Sequence, residues 1–161
     1  MQYKKSRVAT FGGTGITRQI SIGGDNKISV QTMWKEGITN VLTDENALSC
    51  VLKKLDFLSS LGCDIVRFAV PDMDSADALC KISKNTSIPL VADIHFDYKL
   101  ALRCIEGNVA KIRINPGNIG SIDRVKKVVD ACKDKGNAIR IGVNTGSLPK
   151  DIAEKVQKGL I

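Results

Sequence analysis

From residue 27 onward the chain repeats one unit, and this repetition constrains the fold more than any other feature of the sequence. Each unit is a short run of β-branched and apolar residues followed by an amphipathic stretch with a cap at its start. "KISVQTM", "CDIVRFAV", "IPLVADIHF", "AKIRIN" and "AIRIGVN" read as strands. The first intervening segment reads as a helix capped by Thr43 or Asp44 and closed by Gly62, with Leu48, Val51, Leu55 and Leu58 in its apolar stripe. Asp74 or Ser75 opens the next helix, "DYKLALRCIEG" forms a short one ended by Gly107, and "SIDRVKKVVDACKDKG" a fourth. A last helix follows Ser147, a candidate cap. Ahead of the repeat, "RVATFGGTGITRQISIGG" reads as a β-hairpin turning at Gly12-Gly13-Thr14-Gly15. Strands alternating with helices every roughly 20 to 35 residues mean parallel βαβ units, in a doubly wound sheet or a (β/α)8 barrel.

The strand faces separate those two architectures. Residues two apart share a face. One face carries Ile65, Arg67 and Ala69, then Val91, Asp93 and His95, then Lys111, Arg113 and Asn115, then Arg140, Gly142 and Asn144. The opposite face carries Val30, Val66, Phe68, Ala92, Ile94, Ile112, Ile114, Ile139, Ile141 and Val143, and is expected to lie under helices. A sheet covered on both sides should be apolar on both. A barrel instead has an inner face that bears a site near its C-terminal mouth. The expected class is therefore α/β of the TIM-barrel type with an N-terminal hairpin. A complete barrel takes about 250 residues, and this chain has 161. The expectation is an incomplete barrel of about five units, part of a longer protein; an intact five-unit open sheet is the alternative.

Three guanidiniums on one inner face need compensation, because burying an unpaired one costs several kcal/mol. Asp93 is the obvious carboxylate there, and one acid does not balance Arg67, Arg113 and Arg140. The surplus fits a polyanionic ligand, since arginine binds phosphate bidentately. The bland alternative pairs these arginines with loop acids such as Asp72 or Asp97. His95, the sole histidine, can donate to a phosphate or shuttle a proton. Asn115 and Asn144 follow arginines at strand ends and either contact a ligand or cap the loops.

Composition narrows the partners. A net charge of +7 favours anionic ones, but aromatic residues are only 4% of the chain, too few for base-stacking surfaces. Neither a nucleic-acid tail nor a secretory h-region is visible, and no apolar run reaches the roughly 20 residues of a membrane span. A soluble cytoplasmic protein with no nucleic-acid or membrane partner is expected. Five scattered cysteines without a CxxC pair read as reduced thiols, with no metal site.

"GCDIVRFAVP", "PLVADIHFDYKLAL", "KIRINPGNIG" and "IRIGVNTGSL" closely resemble the 4-hydroxy-3-methylbut-2-en-1-yl diphosphate synthase family of the non-mevalonate isoprenoid pathway. The resemblance runs from about Ser6 to Leu148, with "ADIHFDY" and "RINPGN" its most specific motifs. It implies an oxidoreductase that opens 2-C-methyl-D-erythritol 2,4-cyclodiphosphate with two electrons from flavodoxin or ferredoxin. It also implies a homodimer whose separate C-terminal domain carries a [4Fe-4S] cluster. On this resemblance, residues 1–161 are the N-terminal part of the substrate-binding barrel. Arg67, Arg113 and Arg140 hold the diphosphate, and Asp93, His95, Asn115 and Asn144 line the pocket. No cysteine here lies in a cluster-binding motif, so this chain alone is expected to be inactive. Thr32 and Trp34 depart from the family, which usually has serine and threonine there. The rivals are a non-catalytic phosphate-binding half-barrel that self-associates through its edge strands, and a pterin-synthase-like barrel enzyme.

Overall fold

The glycine-rich segment near the N-terminus does form a hairpin. In the computed structural model, which describes residues 5–148 and 150–159, β1 (Ala9–Phe11) pairs antiparallel with β2 (Ile20–Ile22). Gly12 has φ of 80°, a conformation natural only to glycine, and a Cβ there would overlap the Arg18 carbonyl oxygen.

The repeat builds one parallel sheet: β3 (Gln31–Trp34), β4 (Ile65–Ala69), β5 (Leu90–Ile94), β6 (Lys111–Ile114) and β7 (Ala138–Ile141). Helices α1 (Glu45–Ser60), α2 (Met73–Ser83), α3 (Tyr98–Glu106), α4 (Pro116–Ile119) and α5 (Ile122–Lys135) lie between strands, and α6 (Lys150–Gln157) follows β7. Spatial strand order equals chain order. Every crossover therefore advances the same way, and right-handed crossovers then put all helices on one face. A doubly wound sheet reverses direction at a switch point; this sheet has none, so it is part of a barrel wall.

The helix-facing side is dry. Val66, Phe68, Ala92, Ile94, Ile112 and Ile114 are at most 1% exposed, packed against Leu79, Ile82, Leu100 and Ile105 of α2 and α3. At the sheet margins the alternation no longer predicts burial. Val30, Ile141 and Val143, expected under helices, are 55%, 64% and 53% exposed. They lie at or beside the edge strands β3 and β7, and α6 buries none of its residues.

Three local contacts bear on where elements begin. α2 is capped by Asp72, which accepts from the Ser75 amide at 2.8 Å, so Asp74 falls in the first turn and neither Asp74 nor Ser75 is the cap. The "NPGN" loop begins as the short helix α4, because Asn115 accepts from the Gly117 amide at 3.1 Å and proline occupies the first turn. The Ser147 hydroxyl donates to the Asn144 carbonyl at 2.9 Å, and the residue just before α6, on which its cap depends, lies outside the described residues.

The hairpin closes one end of the inner face. Phe11, 2% exposed, packs on Ile65, Val91 and Ala110, with Ile20, Ile22 and Ala138 around it. Ile65, Val91, Ala110 and Ala138 lie at or just before the starts of β4 to β7, so the apolar plug fills the N-terminal end of the inner face. Burying such a phenylalanine is worth about 1.5–3 kcal/mol. Arg18 ties the hairpin to the wall by donating to the Cys63 and Asp64 carbonyls, both at 3.0 Å. The polar residues are left at the opposite, C-terminal end.

Candidate anion-binding site

Period-two alternation brings Arg67, Asp93, Arg113 and Arg140 to the same side of four adjacent strands. The register sets Ala69 beside Asp93, Asp93 beside Arg113, and Arg113 beside Arg140. Asp93 is the centre, and its side chain is fully buried. Its Oδ2 accepts from Arg67 Nε at 2.9 Å and Nη2 at 2.5 Å, and its Oδ1 accepts from Arg113 Nη1 at 2.9 Å. Burial alone would push this carboxyl's pKa up. The hydrogen bonds and charges of Arg67 and Arg113 outweigh it and hold the pKa below the usual carboxylate value.

Asp72 and Asp97 are spent elsewhere, capping α2 and α3. Neither compensates an inner-face arginine. Arg140 is exposed and has no ion pair among the described residues. Beside it Lys111 is half-buried with its ammonium 4.6 Å from the Phe11 ring centre. Desolvation, then the charge of Arg140, push its pKa down. Three guanidiniums thus share one face with a single carboxylate, and the Lys111 ammonium lies against the apolar plug below them. Arg67 and Arg113 each keep N–H donors that Asp93 does not use, since a guanidinium has five.

His95 stands just past the end of β5, half exposed, with Nε2 at 3.3 Å from Asp93 Oδ2. It borders a small cavity of about 140 Å³ with Val70, Pro71 and Leu100. Larger hollows, one of about 410 Å³, lie beside Trp34, Asn40 and Cys50 next to α1, away from the arginines. The arginine set is an open polar face, so its candidacy rests on charge and geometry, not on enclosure.

The GcpE TIM-barrel domain matches residues 16–160. The chain belongs to that family. The 4-hydroxy-3-methylbut-2-en-1-yl diphosphate synthase (flavodoxin) of Treponema denticola is 53% identical over 155 residues, which are 96% of this chain and 39% of the relative. The synthase of Pseudomonas entomophila is 54% identical over 136 residues, 84% of this chain and 35% of the relative. That of Clostridium perfringens is 52% identical over 139 residues, 86% and 38% of the two chains. The chain therefore spans between 35% and 39% of the length of these curated relatives. Among solved structures, the dihydropteroate synthase of Xanthomonas albilineans superposes with a TM-score of 0.50 at 12% identity, over 87% of this chain and 53% of that one. At that identity the likeness is one of fold alone.

This GcpE barrel segment does not fit an iron–sulfur cluster. Cys63, Cys80, Cys104 and Cys132 are buried, Cys50 is exposed on α1, and among the described residues no three cysteine, histidine or acidic side chains converge on a metal position. Burial pushes the Cys132 thiol up to about 11, against the thiolate form a metal needs. The departure at Trp34 also lies away from the site. Trp34 stacks on Phe68 at 5.2 Å in the helix-side core, with the Lys54 ammonium 4.5 Å from its ring.

The two asparagines part company. Asn115 is 1% exposed and uses its side chain to cap α4, whereas Asn144 is exposed beyond β7. Sequence reasoning placed Lys111 and Gly142 on the inner face without giving either a role. Their signal was the same period of two that found Arg113 and Arg140. Met33 faces the same side in register with Arg67, and the period of two along "KISVQTM" identifies it once that register is known.

Proposed function

We propose that this chain is the cyclodiphosphate-binding barrel segment of a 4-hydroxy-3-methylbut-2-en-1-yl diphosphate synthase. The observation that carries the reading is the Arg67–Asp93–Arg113 bridge with Arg140 beside it, without an ion pair among the described residues. Relatives at 52–54% identity bear that synthase's name. In this reading Arg67 and Arg113, fixed by Asp93, offer their unused N–H groups to phosphoryl oxygens, and Arg140 adds a third guanidinium. His95 donates a hydrogen bond to the same anion, and Asn115 and Asn144 shape the loops at its rim.

Residues 1–161 then bind and orient the substrate within a larger homodimeric, cytoplasmic enzyme. The reductive opening to 4-hydroxy-3-methylbut-2-enyl diphosphate is a property of that whole enzyme, with flavodoxin or ferredoxin as electron donor and a [4Fe-4S] cluster held by residues other than these. This chain by itself binds the ligand and does not reduce it.

Calorimetric titration of the chain with 2-C-methyl-D-erythritol 2,4-cyclodiphosphate tests the reading. Arg113→Ala is expected to weaken binding by tenfold or more, about 1.4 kcal/mol. Unchanged affinity in that variant would remove the arginine assignment.

A further inference from the structure

We propose that Gly142 is a positioning residue for Arg113: the missing side chain at Gly142 is the seat in which the anion-binding guanidinium lies. This deepens the function proposed above and rests on its reading of Arg113. Gly142 is not needed for backbone reasons, because it is absent from the set of glycines with positive φ. Space is the reason. A Cβ built there would overlap Arg113 Nε and stand 2.5 Å from Nη2 and 2.8 Å from Cζ, all atoms of one guanidinium.

The seat is fixed on both sides. The Gly142 amide donates to the Ile114 carbonyl at 2.9 Å, continuing the β6–β7 ladder, so its Cα has little room to retreat. Arg113 Nη1 is held by Asp93 at 2.9 Å, while Nη2 points to the Gly142 carbonyl at 3.5 Å. The guanidinium therefore spans from β5 to β7 and covers Gly142. A methyl group at residue 142 forces it off Asp93, out of the cluster, or both.

Gly117 and Gly12 behave differently. At Gly117 an added Cβ would overlap the Ser147 carbonyl oxygen, and at Gly12 that of Arg18, both backbone atoms. Substitution there strains the fold. At Gly142 the obstacle is the far end of a long side chain, so the fold survives and the guanidinium moves.

The test is a double-mutant cycle read by titration with inorganic pyrophosphate, alongside urea denaturation. Gly142→Ala is expected to weaken pyrophosphate binding tenfold or more, while the chain still unfolds cooperatively in urea at a midpoint lowered by loss of the Arg113–Asp93 contact. In an Arg113→Ala background the same substitution is expected to change affinity less than twofold. Unchanged affinity in Gly142→Ala, or equal loss in both backgrounds, overturns the proposal. If Arg113→Ala itself binds like the parent chain, the anion-binding reading falls first and this one with it. Should Gly142→Ala fail to fold, an Arg113→Ala/Gly142→Ala chain that does fold supports the seat. If neither folds, the glycine serves the backbone and the proposal is overturned.

Discussion

Replacing Asp93 by asparagine keeps the shape of the side chain and removes its charge, which leaves Arg67 and Arg113 without their shared counter-ion. Breaking a buried pair in this way is expected to cost about 3 kcal/mol, measured by urea denaturation at pH 7. The same residue gives the site a pH signature. Its pKa is depressed in the folded chain, so its stabilisation is complete above the unfolded value near about 4. That stabilisation is lost as pH falls through the depressed folded value. Asp64 and Asp72 are also depressed, so the parent chain should lose stability in acid for several reasons. The Asp93 share is the difference: Asp93→Asn should show a shallower fall in urea midpoint from pH 5 to pH 3. Parallel curves would mean that Asp93 is not compensating the arginines. At this scale the alternation made the facing of Arg67, Arg113 and Arg140 legible. It left the acid partner open among Asp93, Asp72 and Asp97, because partner choice depends on where loops return in space.

Elements were easiest to read in type and hardest to read at their ends. All five parallel strands and the hairpin fall where the apolar patterning puts them, but each parallel strand is shorter than its run. "AIRIGVN" is a strand only as Ala138–Ile141, since beyond it the chain turns into a loop around Ser147. Helix starts turned on a single side chain: Asp72 reaches the Ser75 amide at 2.8 Å, and that contact, invisible in one dimension, decides where α2 begins. Asp97 does the same for α3, accepting from the Lys99 amide at 2.9 Å. Asp97→Ala is expected to lower stability by about 1 kcal/mol and to leave pyrophosphate affinity within twofold. A large loss of affinity would restore Asp97 as an arginine partner.

For the molecule as a whole, the order β3-β4-β5-β6-β7 leaves two edges and a partly bare helix layer. Edge strands with apolar neighbours pair with other chains unless something covers them. Ile28, Ile141 and Val143 are 93%, 64% and 53% exposed at these margins. The 161-residue chain is therefore expected to self-associate. In sedimentation its average mass should rise above the 17.4 kDa of one chain with increasing concentration, and Ile141→Lys should suppress the rise. A mass that stays at one chain over the whole range would show these margins to be harmless by themselves.

The sequence alone determined the parallel βαβ repeat, the inward facing of the arginines and the family resemblance. Each depends on periodicity or on short motifs, and both survive in one dimension because neighbouring residues are fixed relative to each other by covalent geometry. The tertiary structure decided the rest. It showed that the strands run in one direction without a switch point, that Asp93 braces two arginines while Arg140 has no ion pair among the described residues, and that Asn115 caps a helix. It also placed the Arg113 guanidinium against Gly142, where an added Cβ would overlap it. These outcomes depend on distances between residues far apart in the chain, which register and crossover hand establish only once the sheet has formed.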